Sequence, residues 1–189
     1  QFANLHLDKT AGLVLVDPSG DGQDARFTAA IPNIEELLSY QTVTPEQVKA
    51  CSQGLRQIVH SIATSQTPDD MDPIFGRCGG KDPDRVEAVL SEIAAMEVVS
   101  TGQIKAAAKP YGALPLIVLT RGDYKKDMPP GFTPEATAKL KDVWTTMHTE
   151  MTAQSSIGQN RTIEGAGHGI QRDKPQAVID AVTEVVAKA

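Results

Sequence analysis

Residues 114–122 read LPLIVLTRG, an apolar and partly β-branched run that ends at an arginine and a glycine. A similar run, AGLVLV at 11–16, stops at the turn-rich sequence DPSGDG at 17–22, and NRTIE at 160–164 stops at Gly165. Short apolar runs bounded by turn residues are typical of buried strands in a parallel sheet. These three runs predict three parallel strands joined by helical crossovers, and therefore an α/β fold.

Two helices are predicted beside these strands. From Pro134 to Met151 the apolar residues recur at helical spacing, and the same pattern returns from Pro175 to Val186. Proline suits the first turn of a helix, so the sequence Asp173-Lys174-Pro175 predicts where the last helix begins. Residues 2–5 resemble the end of a helix that leads into the first strand.

The middle of the chain, residues 25–109, is polar and helix-prone and contains no convincing strand. Thr44 and Gln47 fit a capping box at the start of one of its helices. We therefore expect a helical insertion at 25–109 between two core segments, 1–24 and 110–189.

Composition excludes several classes of function. The chain has 189 residues, a formal net charge of −6 and no basic cluster, which argues against a nucleic-acid partner. No apolar run approaches the roughly 20 residues that a membrane-spanning helix needs. The glycine-rich loops lack the Lys-Ser/Thr of a phosphate-binding loop, so a bound nucleotide is not expected.

The order of these segments resembles the α/β-hydrolase fold superfamily. Residues 11–18 look like its sixth strand, residues 115–122 like the seventh, and residues 164–171 (EGAGHGIQ) like the eighth strand with its histidine loop. Pro175 would open the last helix of that fold. The resemblance implies a parallel sheet of which this chain supplies the last three strands, and a helical lid at 25–109.

The chain contains no Gly-x-Ser-x-Gly, the turn that carries the serine nucleophile in this superfamily. In such enzymes one helix separates that turn from the sixth strand, and residues 2–6 look like the end of this helix. The resemblance therefore implies that the serine lies about ten residues before Gln1. An N-terminal portion of the same protein is expected to complete the core.

The resemblance also implies catalytic roles. His168 would be the general base, because serine hydrolysis needs a proton acceptor that works near neutral pH. The acid that orients it is left open between Asp123, after the seventh strand, and Asp17, after the sixth, with Asp127 and Asp21 as weaker candidates. Any of these aspartates could instead cap a turn, since Asp readily bonds its own backbone.

The two cysteines need separate consideration. Residues 76–80 (GRCGG) match the Gly-x-Cys-x-Gly turn of cysteine-using relatives, but the preceding TPDDMDP is turn material and not a buried strand. We expect Cys51 and Cys78 to form a disulfide that ties two lid helices, with two free thiols as the alternative. A disulfide would indicate a secreted or periplasmic protein. No metal or organic cofactor is expected.

The predicted reaction is hydrolysis of a carboxylic ester, with the lid shaping an apolar pocket for the small-molecule substrate. The residues expected to line this pocket are Phe27, Ile31, Leu37, Leu38, Ile58, Phe75, Met96 and Ile170. Two alternatives stay open. One is a non-catalytic binding protein with the same fold, and the other is a dehalogenase-like or epoxide-hydrolase-like enzyme with an upstream aspartate as nucleophile.

Overall fold

The computed structural model describes residues 1–34, 88, 91, 95, 99–126, 128 and 131–189. The chain divides into two compact units, residues 1–38 with 101–189, and residues 39–100. Every strand and helix described below belongs to the first unit. The predicted lid at 25–109 starts earlier and ends later than the second unit, and its role as a lid stays a prediction.

The first unit contains a three-stranded parallel sheet in the order β1-β2-β3, as the apolar runs predict. The strands are β1 (Leu13–Val16), β2 (Leu116–Arg121) and β3 (Gln159–Ile163). Every residue of the central strand β2 is buried. Val16 of β1 lies opposite Leu119 of β2, and Arg121 of β2 lies opposite Ile163 of β3. This register brings the carboxyl ends of all three strands to one edge of the sheet.

Helices flank the sheet, which makes the unit α/β. In chain order they are α1 (Phe2–Leu5), α2 (Gln23–Ala30), α3 (Thr101–Ala107), α4 (Pro134–Thr152), α5 (Ile170–Asp173) and α6 (Pro175–Lys188). The predicted starts of α4 and α6 at Pro134 and Pro175 are confirmed. At α4 the side chain of Thr133 accepts a hydrogen bond from the backbone N–H of Ala136 at 3.1 Å, which satisfies a donor that the first turn leaves open.

The helix α4 buries its apolar stripe in a core shared with α2. Trp144 stacks on Phe27 at 5.5 Å between ring centroids, and Leu140 and Met147 lie in the same cluster. Phe27 and Ile31 are only 5% and 4% exposed. These two residues, which the sequence assigns to the substrate pocket, are therefore placed in the core that α2 forms with α4.

The last helix, α6, covers β1 and β2 through a second core cluster. Its buried part consists of Ile117, Leu119, Ala166, Ile170, Ala181 and Val185. Val178 of α6 packs against this cluster, whereas Ile179, Val182 and Val186 face outward and are 54%, 45% and 69% exposed. Only part of the apolar pattern of α6 is therefore used to hold it on the sheet.

In the part of the chain that the structure describes, no helix combines the length and the apolar character that crossing a membrane requires.

Candidate functional site

Three side chains meet where the strands end. Asp17 directly follows β1, Arg121 is the last residue of β2, and His168 lies in the loop after β3. In parallel α/β sheets, binding and catalytic groups collect at this edge because every strand ends there. The topology therefore gathers residues that lie 104 and 151 positions apart in the chain.

The backbone of Asp17 takes an uncommon conformation. Its φ is 46°, and it is the only non-glycine residue with a positive φ among those the structure describes. Its N–H still donates to the carbonyl of Leu119 at 2.8 Å, so the chain turns only after the strand hydrogen bonds are complete. A left-handed residue of this kind costs free energy, and such residues cluster at functional sites where the surroundings fix them.

The carboxylate of Asp17 is buried and well supplied with donors. Oδ1 accepts hydrogen bonds from the backbone N–H of Arg121 and from the indole Nε1–H of Trp144, both at 3.0 Å. Oδ2 lies 2.8 Å from His168 Nδ1 and forms an ion pair with Arg121 Nε at 3.3 Å. Asp17 is 1% exposed, so these protein groups replace the water that an aspartate ordinarily keeps.

These contacts fix the charge of Asp17. Burial alone would raise its pKa, but the hydrogen bond from His168, the backbone hydrogen bond from Arg121 and the charge of Arg121 outweigh it. Together they hold the pKa of Asp17 below the ordinary value of 3.8. Asp17 is therefore an anion at neutral pH and can only accept hydrogen bonds.

The charge of Asp17 determines the tautomer of His168. Because the carboxylate only accepts, the proton of the neutral imidazole lies on Nδ1, and Nε2 keeps its lone pair. The His168 side chain is 59% exposed although its partner is fully buried. A ring held in this way can take a proton at Nε2 from a hydroxyl group and return it, which is the chemistry of a general base.

A second polar cluster holds the loop that carries His168. The carboxylate of Asp173 accepts the N–H of Gly167 at 2.7 Å, and Lys126 Nζ donates to the carbonyl of Gly165 at 2.9 Å and to Asp173 at 3.1 Å. The hydrogen bond from Gly167, followed by that from Lys126, lowers the pKa of Asp173. The two side chains thus fix the backbone on the N-terminal side of His168.

A buried histidine, His148, contacts the turn at Asp17. His148 of α4 is 0% exposed, and its Nε2–H donates to the carbonyl of Pro18 at 2.9 Å. Its Nδ1 lies 2.6 Å from the hydroxyl oxygen of Thr120, which lies 2.6 Å from the side-chain oxygen of Asn160. Burial, followed by the charge of Arg121, lowers the pKa of His148 against the opposing effects of Pro18 and Asp17. His148 therefore connects α4 to the turn that follows β1.

The other predicted acids lie elsewhere. The Asp123 carboxylate accepts the backbone N–H of Lys125 at 3.1 Å, which is the turn-capping role expected of such an aspartate. The Asp21 carboxylate lies 3.5 Å from Lys105 Nζ. Asp127 lies outside the described residues. The structure therefore brings His168 together with Asp17.

The predicted pocket residues are only partly described. Ile170 is 0% exposed and belongs to the core cluster directly beneath the histidine loop. The remaining predicted pocket and disulfide residues lie outside the described part of the chain: Leu37, Leu38, Ile58, Phe75, Met96, Cys51 and Cys78.

Sequence reasoning missed Arg121 and Trp144 as partners of Asp17. Trp144 carries no signal beyond its place in the apolar stripe of α4. Arg121, however, is a charged residue at the end of an apolar strand, and a buried charge requires a partner. Among the described residues, no group of three His, Cys, Asp or Glu side chains is arranged to hold a metal ion.

Comparisons with models of known protein families, with curated proteins and with solved structures found no match to this chain.

Proposed function

We propose that this chain carries the base and the acid of a serine hydrolase that cleaves carboxylic esters. In this proposal His168 is the general base, Asp17 orients it, and the nucleophile is a serine upstream of Gln1. The observation that supports the proposal is the 2.8 Å contact between His168 Nδ1 and the buried Asp17 carboxylate at the carboxyl ends of parallel strands. Asp17 is preferred over Asp123 because the described hydrogen bond of Asp123 caps its own turn.

The proposed reaction has two stages. His168 Nε2 removes the proton of the serine hydroxyl as its oxygen attacks the ester carbonyl, and it then protonates the departing alcohol. In the second stage Nε2 removes a proton from water as the water oxygen attacks the acyl-serine carbonyl, and it then returns that proton to the serine oxygen as the carboxylic acid leaves. Asp17 stays ionised throughout and stabilises the imidazolium that forms in each stage.

The edge of the sheet offers a place for the missing nucleophile. Among the described residues, β1 pairs with β2 alone, so the other edge of Leu13–Val16 keeps backbone donors and acceptors available for a further strand. A parallel strand added there would end next to Asp17 and His168. A serine on the turn that follows this strand would then face the histidine loop.

The test uses the protein extended upstream through the proposed serine. Hydrolysis of short p-nitrophenyl esters is compared for the unchanged protein, His168→Ala and His6→Ala, the last being a half-buried histidine between α1 and the first strand. We expect His168→Ala to lower kcat by a factor of about 10⁴ or more, as the loss of a triad member does elsewhere. His6→Ala should keep its activity. Equal activity of the two variants would refute the role of His168.

The same experiment distinguishes the alternatives. If an aspartate stands in place of the upstream serine, and the protein turns over haloalkanes or epoxides but not esters, the pair belongs to a dehalogenase-like or epoxide-hydrolase-like enzyme. An upstream segment without any nucleophile at that position would leave a binding protein in which the His168–Asp17 pair is structural.

A further inference from the structure

We infer that Arg121 is a positioning residue: its buried guanidinium shares the Asp17 carboxylate with His168 and opposes the second positive charge that a proton on the imidazole would bring. The inference rests on the proposed function for its catalytic meaning, but the charge relation between the three residues can be measured without any reaction.

The geometry leaves Arg121 little freedom. Its side chain is 6% exposed, and Nε lies 3.3 Å from the same Asp17 oxygen that faces His168. The guanidinium carbon lies 4.4 Å from the centre of the Trp144 ring and 4.9 Å from that of Tyr124, distances at which a cation is attracted to an aromatic face. Two aromatic rings and a carboxylate thus hold a charge that stays protonated under all ordinary conditions.

Two cations therefore share one carboxylate whenever His168 is protonated. Arg121 already balances the charge of Asp17, so the proton on His168 adds a second positive charge at Oδ2. A like charge a few ångströms away disfavours the charged form of a titrating group. Conversely, Arg121 favours the ionised form of Asp17. The carboxylate can therefore still accept the hydrogen bond that orients His168 when the pH is lowered.

The remaining charges around this pair are few among the described residues. His148 on α4 lies on the other side of the Asp17 turn, and its lowered pKa keeps it neutral near neutral pH. On the loop side, Asp173 and Lys126 pair with each other at 3.1 Å, and the guanidinium of Arg172 lies against Gly169. Of these described charges, Arg121 is the one that shares an oxygen of Asp17 with His168, so its removal is the change that tests the relation.

The experiment follows the imidazole of His168 by NMR across a pH titration of isotope-labelled protein. It compares the unchanged chain with Arg121→Gln, Arg121→Lys and Trp144→Phe. Arg121→Gln removes the charge, Arg121→Lys keeps it, and Trp144→Phe removes a neutral donor to Asp17. We expect Arg121→Gln to raise the titration midpoint of His168 by about one pH unit. Arg121→Lys and Trp144→Phe should shift it by less than half as much.

An unchanged midpoint in Arg121→Gln would overturn the inference, and so would equal shifts in the glutamine and lysine variants. If Arg121→Gln does not fold, Arg121→Met gives a second measurement, because it removes the charge and keeps apolar contact with the rings of Trp144 and Tyr124. The midpoint of His168 in Arg121→Met should then lie above that of the unchanged chain. An unchanged midpoint would contradict the inference.

The failure of the inference can be told apart from the failure of the proposed function. If the extended protein hydrolyses esters, the acid limb of its kcat/KM profile should move to higher pH in Arg121→Gln together with the NMR midpoint. A shifted midpoint in a protein without esterase activity would support the role of Arg121 and refute the reaction. Esterase activity with an unshifted midpoint and an unshifted acid limb would support the reaction and refute the role of Arg121.

Discussion

Replacing Asp17 by asparagine keeps the shape of the side chain and removes its charge. The asparagine oxygen can still accept the backbone N–H of Arg121 and the indole N–H of Trp144, which both lie 3.0 Å from Oδ1. The amide nitrogen then takes the place of Oδ2, where His168 presents an N–H group and Arg121 its positive charge. The variant therefore loses an ion pair and brings donors together.

The magnitude follows from the burial of the two charges. Asp17 is 1% exposed and Arg121 is 5% exposed, so the guanidinium left behind has little access to water. Removing one partner of a buried ion pair costs about 3–5 kcal/mol, because the remaining charge is uncompensated. The hydrogen bond to the 59% exposed His168 adds little to this figure, since solvent screens it. We expect Asp17→Asn to lower the free energy of unfolding by about 3–5 kcal/mol near neutral pH.

Urea denaturation monitored by the fluorescence of Trp144, the single tryptophan of the chain, measures this change. Asp123→Asn is the matched control, because Asp123 also follows a strand but is half-buried and accepts one described hydrogen bond, from the N–H of Lys125. We expect that control to cost about 1 kcal/mol or less. In the extended protein, Asp17→Asn should also favour the wrong tautomer of His168 and lower kcat by a factor of about 10⁴. Equal stability of the two variants would refute the reasoning about the buried pair.

Three further predictions concern other parts of the chain. Gly122→Ala would place its Cβ 2.8 Å from the backbone oxygen of Ile163, and we expect it to lower stability by about 1–3 kcal/mol, seen as a lower Tm. The folded-state pKa of His148 is depressed, so its contribution to stability is present above the unfolded value of 6.5 and is lost as pH falls towards the folded pKa. Below pH 6.5 the free energy of unfolding should therefore fall with pH, and His148→Gln should make this fall smaller. Denaturation at a series of pH values measures the difference. Titration of the native protein with a thiol reagent should detect Cys51 and Cys78 only after reduction, and two reactive thiols without reductant would contradict the disulfide.

The sheet could be predicted from the sequence because its signals are local. Each strand is an apolar run that stops at a turn, and the structure places β1, β2 and β3 within two residues of the predicted bounds. The helix α4 follows for the same reason, since its stripe of Leu140, Trp144 and Met147 has helical spacing and Pro134 marks its start. Such signals can be recognised without knowing which residues pack against the strand or helix.

The choice between Asp17 and Asp123 could not be made in this way. Both follow an apolar strand and both stand in turn-rich sequence, so their local patterns are equivalent. What separates them is the left-handed conformation of Asp17, which turns its carboxylate under Trp144 and towards His168. The donors that fix it come from residues 104, 127 and 151 positions away, which no local pattern reports.

The pairing of Asp17 with Arg121 nevertheless has one signal in the sequence. Arg121 ends an apolar strand, and a charge in such a place requires an opposite charge nearby. In the observed register Val16 lies opposite Leu119, so the residue after β1 reaches the end of β2, where Arg121 lies. Asp123, two residues further along the chain from Arg121, has already entered the next turn. The register of β1 and β2 therefore places Asp17, and not Asp123, beside the buried charge of Arg121, and the same carboxylate receives His168.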